Sequence, residues 1–258
     1  MTLAACAEMV RRGDPDRFLS TMTASPGARA KLFPLYAFNL EVARAPWVTQ
    51  EPMIAEMRLQ FWRDALEEIA AGKPPRAHEV AAPLAEAIRA GEIDTEPLDA
   101  LVAARRWDIY RDAFEDQAAF DAHIDATAGH LMWSAATALG ADVASEPVVR
   151  DFSFGAGVAG WLQAVPELEA RGRIPLLDGR PDAVVALAQR ALSRLKSARA
   201  KRGQVACAAT PALLAGWRAE SVLKAAIADP RRVADGALDQ SEFARRWGLL
   251  WRGQTGRW

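Results

Sequence analysis

The sequence has little of what a zinc site, a membrane span or a nucleic-acid interface requires. Its two cysteines, Cys6 and Cys207, form no CxxC pair or Cys/His cluster, which argues against structural zinc and fits a reduced compartment. No uncharged apolar run reaches the ~20 residues that a bilayer-spanning helix needs. The 32 Lys and Arg nearly balance the 33 Asp and Glu, so the positive excess of a dedicated nucleic-acid binder is missing.

The usual short catalytic motifs are also missing. The chain contains no GxGxxG after a strand, no GxxxxGK[ST], no HExxH and no GxSxG. Its three histidines are too scattered for their spacing to indicate a metal site. The N-terminal apolar run is interrupted by Glu8 and followed by Arg11 and Arg12, the wrong order for a secretory signal. We therefore expect a cytoplasmic protein, with contact to a membrane surface left open.

What the chain does have is helical periodicity along almost its whole length. Ala, Leu, Arg and Glu dominate, hairpin turn signals are missing, and prolines fall mostly at helix starts and in connectors. The sequence predicts an all-α protein, organised as a single domain over residues 1–258. The expected helices are 2–11, 15–23, 26–45, 50–71, 78–90, 95–113, 117–139, 145–168, 182–202, 210–228 and 239–252.

One stretch, RRWDIYRDAFED, spaces three aspartates four residues apart, at Asp108, Asp112 and Asp116. On one helical stripe, two such carboxylates can share a hard cation such as Mg²⁺. The alternative, which we favour, is a solvated face on which these acids pair with Arg105 and Arg111. On that interpretation the opposite, core-facing side is formed by Trp107, Tyr110 and Phe114.

Five segments resemble the squalene and phytoene synthase family in order and spacing. They are PDRFLSTM, RAKLFPLYAFNLEVAR, RLQFWRDALEEIAAGKP with the following HEV, DATAGHLMWSAATALG, and LQAVPELEARGRIPLL. The resemblance covers roughly residues 10 to 230. It implies an isoprenoid (terpenoid) synthase-like helical bundle around a central cavity. It also implies head-to-head condensation of two isoprenyl diphosphates, with Mg²⁺ helping the diphosphate to leave.

The resemblance also shows where this chain departs from the family. Family members hold metal ions between two DxxxD motifs, which neutralise the charge that builds on the departing diphosphate. Counting from Tyr36 and from Arg173, the four aspartate positions fall on Ala43, Trp47, Ala164 and Leu168. None of these side chains can ligate a metal, so we expect no resident metal or other cofactor.

Other residues near these positions have carboxylate or guanidinium groups that could bind a metal ion or an anion. Glu41 and Glu167 are the nearest displaced carboxylates, two positions and one position away in sequence, or roughly 200° and 100° around a helix. Arginines in this region can still bind a phosphate or carboxylate. The candidates for such a cavity or anion-binding role are Arg29, Tyr36, Asp108 and Arg173. The alternative, which we favour, is that these four form ion pairs that hold the bundle together.

The C-terminal stretch SEFARRWGLLWRGQTGRW predicts a short basic amphipathic helix. Its apolar stripe is Phe243, Trp247, Leu250 and Trp251, and its polar side is Arg245, Arg246, Arg252 and Arg257. Such a helix can lie in an anionic interface. The alternative, which we favour, is that the stripe packs on the bundle. The last residue, Trp258, is expected to be hard to bury if the tail frays.

Three functions in different classes remain open. The pairing of YAFNLEVAR with RLQFWRDAL resembles a subgroup of the family, mitochondrial assembly factors for respiratory complex I and their bacterial relatives, which lack the full aspartate motifs. That resemblance implies a catalytically inactive assembly or interaction factor, with a respiratory-complex subunit or a membrane surface as partner and no nucleic acid. A prenyltransferase that uses Mg²⁺ and displaced carboxylates is the second hypothesis. A module that binds an isoprenoid or lipid in its cavity is the third.

Overall fold

Capping and proline chemistry set where many of the helices begin. In this computed structural model, which describes residues 2–90 and 93–258, Asp14, Ser25, Asp116 and Ser241 each cap a helix by accepting a bond from a backbone N–H two or three residues inside it. Pro15 and Pro26 occupy first-turn positions, where a missing N–H costs nothing. Such signals are visible in the sequence. The helices that begin at Pro15, Pro26 and Gln117 start at the predicted residues, and the one that begins at Glu242 starts three residues later than predicted.

The described residues contain helices and no strand, which confirms the all-α prediction. Among them, no helix combines the length and apolar character needed to cross a membrane. The helices are α1 Leu3–Gly13, α2 Pro15–Met22, α3 Pro26–Arg44, α4 Pro52–Ala70, α5 Ala81–Arg89, α6 Thr95–Ala104, α7 Gln117–Ile124, α8 His130–Ala138, α9 Glu146–Ala170, α10 Pro181–Ala200, α11 Thr210–Leu213, α12 Ala219–Ala228, α13 Arg231–Ala234 and α14 Glu242–Thr255.

Helix α9 is the centre of the bundle. It packs against α10 and α12 on one side and against the π-helical segment Asp125–Gly129, which joins α7 to α8, on the other. Two glycines allow these close approaches: a Cβ at Gly155 would lie 2.7 Å from Leu195 Cβ, and one at Gly157 would lie 2.7 Å from Ala128 Cβ. Buried apolar side chains form one continuous core around this helix.

The helix predicted over residues 95–113 is wrong in its second half. Helix α6 ends at Ala104 and continues only as a 3₁₀ turn, Arg105–Asp108. Asp112 therefore lies outside any helix and Asp116 caps the next one, so the proposed stripe of three aspartates does not exist. The predicted core position of Tyr110 is also wrong, because this side chain is exposed and donates to Glu56 at 3.1 Å.

Residues 210–228 were predicted as one helix and form three pieces instead. A short helix, α11, is followed by the 3₁₀ turn Leu214–Gly216 and then by α12. The interruption lets Gly216 approach α9, where an added Cβ would lie 2.8 Å from the ring of Phe152. Gly216 has low helical propensity, so the break falls where the local sequence and the packing against α9 both disfavour a continuous helix.

Candidate functional site

A cavity of about 690 Å³ lies inside the bundle, between α2 and α3 on one side and α8, α9 and α12 on the other. We call it the central cavity. Apolar side chains such as Leu40, Ile124, Leu131 and Val222 line part of it. Charged groups are also present on its walls, among them Asp14, Asp16, Arg17, Arg44, Arg105, Asp108, Glu167, Arg171 and Arg218. Its size and mixed lining are typical of a small-molecule site.

The four positions at which the sequence comparison expects metal-binding aspartates all line this cavity. Ala43 lies on α3, Trp47 lies on the 3₁₀ turn Ala45–Trp47 that extends α3, and Ala164 and Leu168 lie on α9. The fold thus brings the two degenerate motifs to one space. Over residues 2–90 and 93–258, no group of three or more His, Cys, Asp and Glu side chains could hold a metal ion.

Two guanidinium groups occupy the region where the degenerate motifs meet. Arg171 lies over the ring of Trp47 at 4.7 Å from its centre, and Arg173 lies over the same ring at 5.1 Å. Both contacts have the geometry of cation–π interactions. A cation stacked on an aromatic ring has the opposite charge to a metal-binding carboxylate, so these residues do not fit Mg²⁺.

The displaced carboxylates are not brought together. Glu41 lies outside the central cavity, with its Oε2 atom 3.6 Å from His78 Nε2. Glu167 does line the cavity, but its carboxylate is largely exposed and accepts a bond of 2.5 Å from Arg171. A pair of carboxylates facing each other across the cavity, as the prenyltransferase hypothesis requires, is not formed by these two residues.

The four cavity candidates from the sequence divide into three groups. Arg29 lies away from the cavity, because its guanidinium donates to the carbonyls of Ala24 at 2.8 Å and Met22 at 2.6 Å at the end of α2. Tyr36 and Asp108 both line the cavity wall. Arg173 lies beyond the central cavity, in a second one described below. Arg29 therefore leaves the set of anion-binding candidates.

Burial disfavours the charged forms of the two cavity groups Tyr36 and Asp108. Burial raises the pKa of the Tyr36 phenol to about 12, and its hydroxyl has no hydrogen-bond partner among the described residues. Burial also raises the pKa of Asp108, against the opposing effect of Arg105, whose Nη1 lies 3.4 Å from the carboxylate. At both positions burial therefore opposes the negatively charged form that a metal ligand would need.

A second, more open cavity of about 580 Å³ adjoins the first across Trp47. We call it the outer cavity; Trp47 and Arg171 line both spaces. Arg173 is fixed there by bonds from Nε and Nη2 to the Asp108 carbonyl, at 3.1 and 2.5 Å. Sequence reasoning identified Arg173 but missed Arg111 and Arg171, which line the same space. The RGR spacing in the sequence was the one available signal for Arg171.

Helix α14 is amphipathic, but its apolar side faces away from the bundle, contrary to the expectation that we favoured. Its apolar stripe, which we call the aromatic face, is exposed: Phe243 by 78%, Trp247 by 60%, Leu250 by 54% and Trp251 by 58%. Two arginines predicted on the polar side face the protein instead: Arg245 pairs with Asp16, and Arg252 lies 3.8 Å from Glu220. The favoured expectation that the stripe packs on the bundle is therefore wrong.

The end of the chain also differs from expectation. Trp258 is buried, with 4% of its surface exposed, and its ring meets Phe152 edge to face at 4.7 Å between centres. Gly256 makes this possible, because its φ of +61° turns the chain back after α14. The terminal tryptophan thus fastens α14 to the bundle while the aromatic face stays outside.

Comparison with known proteins gives a consistent family and fold. A family model described as squalene/phytoene synthase matches residues 10–176. A solved structure described as a dehydrosqualene synthase in complex with ligand superposes with a TM-score of 0.82 at 13% identity, covering 98% of this chain and 95% of the other. Squalene synthase HpnC from Alicyclobacillus acidocaldarius gives a TM-score of 0.75 at 16% identity, with 90% and 94% covered. At these identities the likeness shows the fold alone.

Curated relatives carry a different name. The Bos taurus and Homo sapiens proteins named NADH dehydrogenase (ubiquinone) complex I, assembly factor 6 are each 25% identical over 170 residues, which is 66% of this chain and 51% of theirs. The Rattus norvegicus protein of the same name is 25% identical over 240 residues, covering 85% of this chain and 72% of its own. The chain spans about half the length of the first two relatives.

Proposed function

The chain belongs to the squalene/phytoene synthase family, and from that premise we propose that it is a non-catalytic member, an assembly or interaction factor for respiratory complex I. The proposal joins two independent lines of support, the chemistry of the central cavity and the names of the curated relatives. A third observation, the exposed aromatic face of α14, suggests where in the cell the protein acts.

The observation that carries the proposal is the chemistry at the four degenerate motif positions. Head-to-head condensation begins when a diphosphate leaves an allylic carbon, and bound metal ions stabilise the negative charge that appears there. In this chain the corresponding side chains are two alanines, a leucine and a tryptophan. The tryptophan supports two arginines, so the cavity lacks the acidic ligand set that would hold metals. We derive no catalytic step through Mg²⁺.

The proposed partner comes from the relatives. Proteins named as complex I assembly factors are 25% identical to this chain over aligned regions that cover 66% and 85% of it. Such a role needs a stable fold and binding surfaces, and it does not need the metal-dependent reaction. It is therefore compatible with loss of the aspartates.

We propose further that α14 places the protein at the periphery of the inner membrane. Phe243, Trp247, Leu250 and Trp251 form one exposed stripe, and Trp is favoured at membrane interfaces because its ring is apolar and its N–H stays wet. Exposed Arg246 and Arg257 lie near the two ends of the helix and suit an anionic surface. Fixed by Trp258 and by the arginine pairs on its other side, the helix can present this face without unfolding.

Vesicle co-sedimentation tests the membrane surface. We expect the wild-type protein to sediment with vesicles containing anionic lipid, and the Trp247→Glu/Trp251→Glu double variant to lose at least ~10-fold in affinity. The matched control is Met53→Glu/Met57→Glu, which places the same charges on exposed apolar positions of α4. Equal binding by the two double variants would contradict the membrane role of α14. Specific capture of a complex I subunit by the aromatic face, without vesicle binding, would assign that face to a protein partner instead.

A gene deletion in the native host tests the assembly role. We expect less fully assembled complex I on native gels and lower NADH:ubiquinone oxidoreductase activity, both restored by the wild-type gene. Undiminished complex I in the deletion strain would contradict the proposal.

A second candidate function has its own observation. The central cavity keeps a volume of about 690 Å³ and a partly apolar lining, which suits an isoprenoid or lipid that is bound and not converted. Native mass spectrometry of the purified protein would show such a ligand as a mass increment that is lost on denaturation. A protein isolated from its host without any increment would argue against this function.

A further inference from the structure

Three guanidinium groups converge on the outer cavity. Arg171 and Arg173 stack over Trp47, as described above, and Gly172 between them has a φ of +75°. This left-handed turn, which a glycine adopts without strain, ends α9 between the two arginines. A Cβ placed on Gly172 would lie 3.8 Å from Arg111 Cζ and Nη1, so the third guanidinium is adjacent to the same turn.

The charges of this cluster are poorly neutralised. Arg173 donates to the carbonyls of Asp108 and Ile109, which are neutral acceptors. Arg111 has no hydrogen-bond or ion-pair partner in the part of the chain that the structure describes. Among the described residues, only Arg171 of this cluster has a carboxylate within salt-bridge distance, that of the largely exposed Glu167. The carboxylate of Asp108 acts on Arg173 from farther away. Burial is the main reason that the pKa of Arg173 is lowered; the nearby Arg111 and Arg171 add to the effect, and the Asp108 carboxylate opposes it.

The remaining lining suits recognition of an anion. Thr49 and Gln50 add neutral polar side chains, and Pro46 and Trp47 form an apolar floor. The Thr49 hydroxyl already accepts from the Glu51 backbone N–H at 3.1 Å, and its own proton remains available to donate. Planar guanidinium forks match the oxygens of phosphate and carboxylate groups, and their pairs with these anions are stronger than neutral hydrogen bonds.

We propose that the outer cavity is a metal-independent binding site for a phosphate or carboxylate group, held by Arg111, Arg171 and Arg173 above Trp47. The site lies on the far side of Trp47 from most of the central cavity, and Arg111 and Arg173 line only this outer space. It needs no divalent cation, because the arginines supply the positive charge directly. The proposal rests on local geometry and does not depend on the assembly role.

The anionic group can come from a free ion or from the head of a larger amphiphile. Trp47 and Arg171 line both cavities, so a phosphate in the outer cavity is one side chain away from the apolar interior. A prenyl diphosphate could therefore place its head at the arginines and its chain in the central cavity. A free phosphate or pyrophosphate would use the arginines alone.

Calorimetric titration of the full chain in EDTA tests the site with two probes, pyrophosphate and farnesyl diphosphate. We expect binding without metal that weakens as salt is raised. In Arg111→Gln the affinity should fall by ~5-fold or more, because an unpaired exposed cation is removed without disturbing a structural bond. The matched control, Arg12→Gln, removes an exposed arginine on α1 and should bind as wild type does.

The two probes separate the sources of the anion. Similar affinity for both would assign the site to a free ion, and markedly tighter farnesyl diphosphate would assign it to an amphiphile head; either result supports the site. Binding that requires Mg²⁺, equal affinities in Arg111→Gln and Arg12→Gln, or no binding of either probe would overturn it. The complex I phenotype of the deletion strain is a separate readout, so failure of one proposal does not decide the other.

Discussion

Arginine and aromatic side chains meet at both the outer cavity and helix α14, with opposite results. At the outer cavity, Arg171 and Arg173 stack on Trp47 and face open space. Of these two arginines, only Arg171 forms an ion pair with a carboxylate, that of Glu167. At α14, Arg245 and Arg252 turn inward to Asp16 and Glu220, and the aromatic side chains are left outside. The same residue types thus build a site for anions in one place and a surface for an apolar medium in the other.

The difference lies in how the charge is neutralised. Asp16 receives both Arg218 and Arg245, and Glu220 is approached by Arg199, Lys224 and Arg252. Because those arginines are partly buried and form ion pairs, they stabilise the fold. Arg111 has no such partner among the described residues, so its charge remains available to a ligand. Counting arginines in the sequence does not distinguish the two cases, but the positions of the carboxylates do.

The largest expected effect comes from removing the carboxylate beneath α14. Asp16→Ala leaves Arg218 and Arg245 without their shared partner in a partly buried setting, and we expect the free energy of unfolding to fall by ~2–3 kcal/mol. Urea denaturation followed by circular dichroism measures it. Glu242→Gln, which breaks an exposed pair with Arg246, is the control and should cost less than ~0.5 kcal/mol. Equal losses in the two variants would contradict a structural role for the inward arginines.

The next largest difference in stability is expected between Trp258, which is buried just after α14, and Trp251, which is exposed on α14. Trp258→Ala removes a buried ring from Phe152 and should destabilise the protein by ~2 kcal/mol, below the usual range for a core ring because the residue is terminal. Trp251→Ala, on the aromatic face, should change stability by less than ~0.5 kcal/mol. Thermal unfolding of both variants checks this. A larger loss at Trp251 would mean that the aromatic face is not free.

Two carboxylates should show opposite pH dependence. The pKa of Glu220 is lowered by Lys224 and Arg199 against the opposing effect of burial, so it stabilises the fold above the ordinary glutamate pKa, and that contribution is lost as pH falls through the lowered value. Glu220→Gln should therefore destabilise by ~1 kcal/mol at pH 7 and by less in acid.

The pKa of Asp108 is raised by burial, so its contribution is present at low pH and lost as pH rises through the raised value. Asp108→Asn should be more favourable, relative to wild type, at pH 7 than at pH 4. Urea denaturation series at both pH values measure the two variants. The same sign of pH dependence for both would contradict the assigned environments.

An effect of similar size to that at Glu220 is expected at Trp47. Trp47→Leu keeps an apolar floor but removes the π face beneath Arg171 and Arg173, and should cost ~1 kcal/mol of stability. The affinity for pyrophosphate in EDTA should fall as well, because the two guanidinium groups lose their common support. Unchanged affinity together with unchanged stability would show that the stacking has no energetic role.

Much of the fold follows from the sequence, because proline and capping residues mark helix starts and the apolar period is sustained. The failures have physical causes. Helix α6 ends nine residues before the predicted end, because the residues after Ala104 form a 3₁₀ turn that places Arg105 and Asp108 on the cavity wall. Arg245 and Arg252 of α14 face inward because Asp16 and Glu220, distant in sequence, supply partners that no local pattern could indicate.

The candidate site could be predicted only in part from the sequence, for the same reason. The degenerate positions Ala43, Trp47, Ala164 and Leu168 could be located from motif spacing, and all four line the central cavity. The stacking of Arg171 and Arg173 on Trp47 joins residues more than 120 positions apart, and Arg111 comes from a third segment. Such convergence depends on tertiary structure.

The most direct test of the central claim is pyrophosphate release from farnesyl diphosphate by the purified protein, measured with and without Mg²⁺. We predict no release above a protein-free control under either condition, because the motif positions hold no carboxylate and arginines stack where the two motifs meet. Mg²⁺-dependent release of pyrophosphate, accompanied by a condensed isoprenoid product, would contradict the account.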